Sequence, residues 1–439
     1  MNVDWGGRPG DDGYADPAFP ALQDVLAPLV PGRQPVAVYY YPGRTLQVTH
    51  ADGAGGLLTR DAVPLGGDPR GATVLGPGER WDGALRCVVR TFPHDPGLPE
   101  LPGIVAGLGA AADDVLSYLP GLRAVLRATT PTGPVVVKAG DRESLRRNHS
   151  RHTALHALEG RGFGVSRPLD VDPGRGLRRE ELLAGTCPVR ALAAGARPGP
   201  LAAAVAAPVA ALHALDPADD LLLADHTAPV LLARWRRKTL RTIARALPAL
   251  APRAAAVVDV LDGARPAGLG DAPGVVHGDL HTANVLVGPA GVTLLDLDAL
   301  GRGDPELDLA VLVGRLLLVA VAAGPAGGAG PVALARGLVP AYDAAARTAG
   351  RRALRADVLA WYLAGTLVGR QVRTSIRHLA PGLEPLCDRL VRLAEQVLRH
   401  VPAGPGGPGV GAAAVVDDLA GTIVAGPGPA VPVLARAGR

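Results

Sequence analysis

Residues 275–310 read VVHGDLHTANVLVGPAGVTLLDLDALGRGDPELDLA, and this stretch is the most informative part of the chain. Two short apolar runs, around Val285–Val287 and Thr293–Leu297, predict strands because β-branched side chains favour extended backbone. A polar cluster precedes the first strand, and acidic residues stand at the end of the second. The return of the chain between the two strands is expected to bring Asn284 and Asp296 close together.

The polar residues of this stretch match the needs of phosphoryl transfer. Transfer from MgATP needs a carboxylate that orients the attacking hydroxyl, oxygen ligands for Mg²⁺ and a cation on the phosphates. Asp279 is placed for the hydroxyl, while Asn284 and Asp296 supply the hard oxygen ligands that Mg²⁺ prefers. The stretch therefore predicts a catalytic aspartate and a magnesium site, with the cation supplied from elsewhere in the chain.

Three ordered motifs in residues 275–310 resemble those of the aminoglycoside phosphotransferase and choline kinase-like family, relatives of the protein kinases. HGDLHTANVL resembles the HGDxHxxN catalytic loop, LLDLD is similar to the metal-binding element, and GDPELDLA is similar to GDPxxDLA. The resemblance implies ATP and Mg²⁺ as cofactors and a small polar molecule with a hydroxyl group as acceptor. It also implies that Asp308 braces the catalytic loop from the start of a helix.

The other polar residues of the stretch have structural alternatives. His277 and His281 are spaced like a zinc-binding pair, but no HExxH glutamate or cysteine partner accompanies them. We therefore expect His277 to orient the loop by hydrogen bonds. Asp298 fits a supporting position behind the metal and equally a surface position. Asp304 and Asp308 precede an apolar run, so both are natural helix caps.

Lys138 is the candidate phosphate-binding cation. Only two of the 45 Lys and Arg side chains are lysine, and one of the two ends the apolar strand VVVKAG. An ammonium is a compact point charge and a guanidinium a wide planar fork, so a lysine kept in an arginine-rich chain indicates a specific geometry. Weaker resemblance to the family, over residues 115–400, implies that this lysine contacts the phosphates.

The usual partner of such a lysine is missing from its expected place. Kinase-like folds pair the strand lysine with a helix glutamate, and the spacing puts that position near Arg151, which cannot form the pair. Glu143 and Glu159 on neighbouring turns are alternatives, as is a lysine held in another way. The missing glutamate keeps a second function open, a nucleotide-sensing pseudokinase, although the intact catalytic and metal-binding set argues against it.

The composition excludes several classes of protein. A chain of 439 residues with 48% hydrophobic side chains can bury a large core in two or three lobes. Its 45 basic and 41 acidic side chains are interleaved without a basic tract, which argues against a nucleic-acid partner. Three widely spaced cysteines fit a reducing cytoplasm. The longest apolar run, Val311–Ala323, contains Arg315 and falls short of a membrane span, so we interpret it as a buried helix.

The order of predicted elements gives an α+β, two-lobed kinase-like architecture with a nucleotide in the cleft between the lobes. Residues 1–110 form an N-terminal extension or strand-rich cap beside the first lobe, and residues 111–190 form the strand-rich, nucleotide-binding lobe. Residues 191–401 form the helical lobe with the catalytic loop. Residues 402–439 are a Pro/Gly/Ala-rich tail that we expect to be disordered and loosely attached.

The sequence leaves the acceptor open. Helices of residues 190–270 and 320–400 are expected to build the acceptor pocket, and they lack a decisive acidic cluster of the kind that would mark an aminoglycoside site. Aminoglycosides, sugars, amino alcohols and nucleosides are all candidates. A protein kinase is disfavoured because HGD replaces HRD, DLD replaces DFG and no APE follows.

Overall fold

The computed structural model describes residues 35–425 apart from 43–44, 53–55, 63–74, 84, 86, 159, 218–220, 222, 272 and 402–410. Its architecture is α+β, with strand-rich sheets in the N-terminal part and mainly helices in the C-terminal part, which confirms the predicted fold class. Residues 1–34 of the expected extension and residues 426–439 of the expected tail lie outside the described residues.

The first sheet belongs to the N-terminal extension and is antiparallel, with the order β1-β2-β3-β5-β4. Its strands are β1 Ala37–Tyr41, β2 Thr45–Ala51, β3 Leu57–Ala62, β4 Glu79–Asp82 and β5 Cys87–Thr91. Leu46 and Val48 of β2 are fully buried in a core shared with the C-terminal helices. The ring of Phe92, next along the chain, lies 5.3 Å from that of Tyr118 in the second sheet. The extension therefore contacts both lobes, whereas the sequence placed it beside the first lobe.

The second sheet is the expected nucleotide-binding lobe and has the order β10-β11-β8-β7-β6. It comprises β6 Val115–Leu119, β7 Arg123–Thr130, β8 Gly133–Gly140, β10 Pro168–Asp172 and β11 Leu177–Glu181, while β9 Gly164–Val165 joins another sheet. Helix α1 Leu101–Leu108 covers one face, burying Leu101 and Ile104 against it. Helix α2 Arg142–His156 starts where Asp141 Oδ2 accepts a hydrogen bond from Ser144 N at 2.9 Å.

The C-terminal lobe is built mainly from helices around one large core. Its helices are α3 Pro188–Ala193, α4 Pro198–His213, α5 Ala228–Arg234, α6 Arg241–Ala246, α7 Ala251–Gly263, α8 Pro305–Thr348, α9 Ala356–Thr366, α10 Arg373–Arg377 and α11 Leu383–Val397. Its short strands are β12 Ala224–Asp225, β13 Gly274–Val276, β14 Val285–Gly288, β15 Gly291–Leu294 and β16 Gly301–Gly303. The β14–β15 hairpin pairs Val285 with Leu294. The sequence predicted both strands, although β15 ends three residues before the predicted end at Leu297.

Helix α8 is the long apolar helix of the core. It is broken at Gly324, whose φ of 68° is non-helical, and its first part, Pro305–Pro325, is long and apolar enough by composition to cross a membrane. The prediction that this run is too short was therefore wrong. The most apolar part of the helix is 78% buried inside the protein, as expected of a core helix.

The expected disordered tail contains an ordered helix, α12 Ala412–Ala425, which packs against α8, α9 and α11. Val415, Val416 and Leu419 are fully buried on its inner face. The prediction of a loosely attached tail is therefore wrong for residues 412–425. Pro and Gly are concentrated on either side of an apolar stripe with helical spacing, and the average composition of the tail hid that stripe.

Candidate active site

The loop between β13 and β14 is held by one buried carboxylate. Asp308, fully buried in the first turn of α8, accepts hydrogen bonds from His277 N at 2.6 Å and Gly278 N at 2.9 Å. His213 Nε2 from α4 lies 3.0 Å from the same carboxylate. Burial opposes ionisation, but His213 and His277 outweigh it and lower the pKa of Asp308. The carboxylate thus fixes the backbone that carries Asp279.

Gly278 is required by the shape of this loop. Its φ is 75°, in the left-handed region that side chains rarely adopt, and a Cβ there would collide with Ala299 O and His226 Nε2. His226 Nε2 in turn lies 2.6 Å from Ala299 O. The loop backbone therefore packs directly on the segment that follows Asp296.

The two histidines of the loop are engaged in hydrogen bonds within the protein. His277 Nε2 lies 2.8 Å from Leu295 O, and His281 Nδ1 accepts from Ala283 N at 3.2 Å, where a 3₁₀ turn Thr282–Asn284 begins. Burial, followed by the positive charge of Arg315, lowers the pKa of His281 to about 4, so this imidazole is neutral at physiological pH. Among the described residues, no group of three or more His, Cys, Asp or Glu side chains could hold a metal ion by itself.

Asn284 and Asp296 face each other across the start of the β14–β15 hairpin. Leu295 N donates to Asn284 O at 2.9 Å, and Asn284 Nδ2 donates to Asp279 O at 2.9 Å. Asp296 has a left-handed backbone with φ 56° at the end of β15. Burial opposes its ionisation, but Lys138 and Arg123 outweigh burial and lower the pKa of Asp296. One ionised carboxylate and one amide fit Mg²⁺, which takes its remaining ligands from phosphates and water.

Lys138 is paired with a strand glutamate, which the sequence analysis missed. Its Nζ lies 3.1 Å from Glu180 Oε1 of β11 and 3.3 Å from Asp296 Oδ1. Glu180 Oε2 also lies 3.4 Å from His152 Nδ1 of α2. Burial disfavours both charges, yet the pKa of Glu180 is held well below its usual range by Lys138, and that of Lys138 is raised by Glu180 and Asp296. The alternative Glu143 is therefore not needed to hold the lysine, and the other alternative, Glu159, lies outside the described residues.

Asp298 and Arg151 are joined by a second set of contacts in the same cleft. Arg178 Nη2, from a side chain only 3% exposed, lies 2.7 Å from Asp298 Oδ1. Arg151 Nη1, which stands near the expected position of the helix glutamate, donates to Asp298 O at 2.5 Å. Asp298 is therefore tied to the first lobe, with its side chain 33% exposed.

Asp304 precedes α8 but does not cap it. No cap hydrogen bond comes from its side chain. Its carboxylate instead accepts from Tyr362 OH at 2.8 Å and Gly270 N at 3.3 Å, so it joins α8 to α9 and to the segment before β13. The capping prediction was wrong for Asp304 and for Asp308, whose carboxylate binds the loop between β13 and β14.

Asp279 has an ionic partner that the sequence analysis missed. Arg370 Nη2 forms an ion pair with Asp279 Oδ1, and His281 Nε2 lies 3.7 Å from the same oxygen. Arg370 belongs to a π turn, Leu367–Val372, between α9 and α10. The signal was present in the sequence, because Arg370, Arg373 and Arg377 are spaced to share one face of a helix.

A family profile described as APH, the phosphotransferase enzyme family, matches residues 121–356, more than half of the chain. The chain belongs to this family. The match spans Lys138, Glu180, Asp279, Asn284 and Asp296, whereas Arg370, the ionic partner of Asp279, lies outside it. Family membership makes the chain a phosphotransferase and confirms the resemblance drawn from the three motifs.

Solved structures of related enzymes are similar to this chain at low identity. A choline/ethanolamine kinase family protein from Mesorhizobium loti is 17% identical with a TM-score of 0.45, covering 74% of this chain and 100% of its own. Aminoglycoside phosphotransferase APH(3'')-Id from Streptomyces rimosus is 22% identical with a TM-score of 0.44, covering 62% and 97%. Amicoumacin kinase hAmiN, in complex with AMP-PNP, Ca²⁺ and Ami, is 15% identical with a TM-score of 0.46, covering 67% and 90%.

The fold assignment rests on the family match and on the elements themselves. No curated protein matches the chain.

Proposed function

We propose that this phosphotransferase moves the γ-phosphate of MgATP to a hydroxyl group of a small polar molecule. The observation that carries the proposal is the convergence of Asp279, Asn284, Asp296 and the Lys138–Glu180 pair on one cleft between the sheet and the helical lobe. These are the parts that phosphoryl transfer requires: a base, two metal ligands and a phosphate cation.

Each residue has a distinct task in the proposed reaction. Asp279 orients the acceptor hydroxyl and takes its proton as the oxygen attacks the γ-phosphorus, while the bond to the bridging oxygen of ADP breaks. Asn284 and Asp296 would hold Mg²⁺, which would neutralise charge on the phosphates. Lys138 places its ammonium on the phosphates, oriented by Glu180.

Arg123 is a second candidate cation for the nucleotide. It follows the Pro120–Gly121 turn at the start of β7, where kinase-like folds cover the phosphates. Its charge contributes to the low pKa of Asp296 and of His281, so it lies within electrostatic reach of both residues.

The pseudokinase alternative loses the observation that motivated it. It rested on the missing helix glutamate, and Glu180 supplies the carboxylate from β11 instead. No contact among the described residues favours a purely sensing function.

The experiment is a screen for ATP consumption against hydroxyl compounds, combined with MgATP binding to wild type and Asp296→Ala. We expect ADP formation that depends on an acceptor and on Mg²⁺. Asp296→Ala should weaken MgATP binding by about tenfold or more, roughly 1.4 kcal/mol, because a charged ligand of the bridging metal is lost. Equal Mg²⁺ dependence of nucleotide binding in the two proteins would contradict the metal assignment.

A further inference from the structure

A group of arginines surrounds the candidate catalytic base on its helical-lobe side. We call Arg234, Arg315, Arg370 and Arg373 the arginine face. Arg370 contacts Asp279, and the charges of Arg234 and Arg373, after burial, lower the pKa of Arg370 to about 10. Arg315 of α8 lies close enough to the catalytic loop to lower the pKa of His281. Geometry places the others near Arg370: Arg373 follows it by three residues on the helix, and Gly314, next to Arg315, lies beside Gln371 of the turn that carries Arg370.

Two π turns build this face. Trp235–Leu240 separates α5 from α6 directly after Arg234, and Leu367–Val372 carries Arg370. The Trp235 ring packs so closely on Gly365 and Gly369 that a Cβ at either glycine would collide with it. Thr239 Oγ1 donates to Gly369 O at 2.9 Å, which joins the two turns. Such widened turns are common at functional sites, and here they bring arginines of two helices together.

The arginine face is not neutralised by the described part of the protein. Asp279 is the one carboxylate in contact with it, through Arg370, whereas Arg234, Arg315 and Arg373 have no carboxylate partner among the described residues. Arg352 of the same lobe, by contrast, is paired with Glu306. Arg234 is exposed, and Arg315, Arg370 and Arg373 are half-buried, so the face is open to a ligand from solvent. Like charges in half-buried positions repel one another, and a bound anion would relieve that repulsion.

Strand β1 closes the outer side of the face. Arg377 lies over the rings of Tyr39 at 5.6 Å and Tyr41 at 5.1 Å, and Arg377 Nη2 donates to Tyr41 OH at 2.8 Å. His378 Nδ1 lies 3.0 Å from Val38 O. The extension thus places two aromatic rings on Arg377, one helical turn beyond Arg373 of the face.

We infer that the acceptor is an anionic small molecule, carrying a carboxylate or a phosphate monoester beside its reactive hydroxyl, and that this oxyanion binds the arginine face. The inference rests on the proposed function. An oxyanion suits guanidinium groups because it accepts two parallel hydrogen bonds from each. The bound oxyanion would also replace Asp279 as the ionic partner of Arg370. The Asp279 carboxylate could then accept the proton of the acceptor hydroxyl. A cationic acceptor would meet uncompensated positive charge.

The test compares one carbon skeleton in four charge states. Glucose, glucosamine, gluconate and glucose 6-phosphate are offered with MgATP, and kcat/KM is measured as ADP formation. We expect gluconate or glucose 6-phosphate to exceed glucose by about 100-fold or more, and glucosamine to fall below glucose. A preference for gluconate would indicate a carboxylate on the acceptor, and a preference for glucose 6-phosphate would indicate a phosphate monoester. Turnover of glucose or glucosamine that matches the anionic compounds would overturn the inference and leave the proposed function standing.

A binding arm covers the case in which none of the four compounds is an acceptor. Inorganic sulfate, gluconate and glucose 6-phosphate are titrated against wild type, Arg373→Gln and Arg237→Gln by calorimetry. Arg237 is the matched control, since it is exposed in the first π turn and is not among the charges that act on Arg370. We expect anion binding that weakens about tenfold or more in Arg373→Gln alone.

Absence of binding by all three anions, or equal binding by the three proteins, would refute the inference. MgATP binding measured on the same samples keeps the two ideas apart. If wild type does not bind MgATP, the proposed function itself is refuted. If it binds MgATP but prefers a neutral or cationic acceptor, only the inference of an anionic acceptor is refuted.

Discussion

At the scale of single residues, the sequence predicts those cleft residues that lie in one short segment. It does not predict those that come together only through contacts between distant segments. Asp279, Asn284 and Asp296 could be selected from the sequence because one loop and one hairpin carry all three. Glu180 could not, since its link to Lys138 depends on the register of β11 on β8. That register pairs Arg178 with Lys138 and puts Glu180 two positions further on the same face.

Replacing Glu180 tests whether the strand glutamate does the work expected of a helix glutamate. Glu180→Gln should lower kcat/KM for ATP by about tenfold or more, roughly 1.4 kcal/mol, because Lys138 loses its partner. Glu181→Gln is the matched control, since Glu181 is 42% exposed and lies 3.9 Å from Arg167. Equal activity of both variants would show that Glu180 does not position the lysine.

The effect of Glu180→Gln on the free energy of unfolding should depend on pH. The folded pKa of Glu180 is depressed, so its stabilising contribution is present above the unfolded value of about 4.3 and is lost as pH falls towards the folded value. Denaturant titration should therefore show a stability difference between wild type and Glu180→Gln that shrinks in acid. A difference that grows as pH falls would contradict the ion pair.

At the scale of elements, local patterns predicted strands and helices better than they predicted where each element packs. The three strands β6, β7 and β8 and the helix after Lys138 follow turn and cap signals in the sequence. The π turns did not emerge, because one inserted residue leaves the apolar periodicity nearly unchanged. Helix α12 was concealed by the Pro- and Gly-rich residues around it.

The docking of α12 can be tested by one substitution. Leu419 is fully buried, so Leu419→Ala should destabilise the protein by about 2–4 kcal/mol through lost apolar contact and a cavity. Gly421 has open space where a Cβ would stand, and Gly421→Ala should be neutral or stabilising by up to about 1 kcal/mol. Unchanged melting temperature in Leu419→Ala would mean that the helix is not docked.

At the scale of the whole molecule, the order of predicted elements indicated the fold class, whereas the overall composition concealed the charge pattern. The net charge is only +4, because 45 basic and 41 acidic side chains nearly cancel over the chain. The arginine face arises only when α5, α8 and the π turn after α9 meet beside Asp279. The contact of β1 with α10 was equally invisible, since it joins residues near the two ends of the described chain.

The central claim is that Asp279 is the base of an ATP-dependent phosphotransferase, and the most direct measurement compares Asp279→Asn with wild type. Turnover with an identified acceptor should fall by about 10²–10⁴-fold, because the amide cannot take the hydroxyl proton. The Kd for MgATP, measured by calorimetry, should change by less than about threefold, since the carboxylate acts on the acceptor. Asp259→Asn, at a side chain that is 70% exposed, is the control and should match wild type in both. Retention of the wild-type rate by Asp279→Asn would contradict the account.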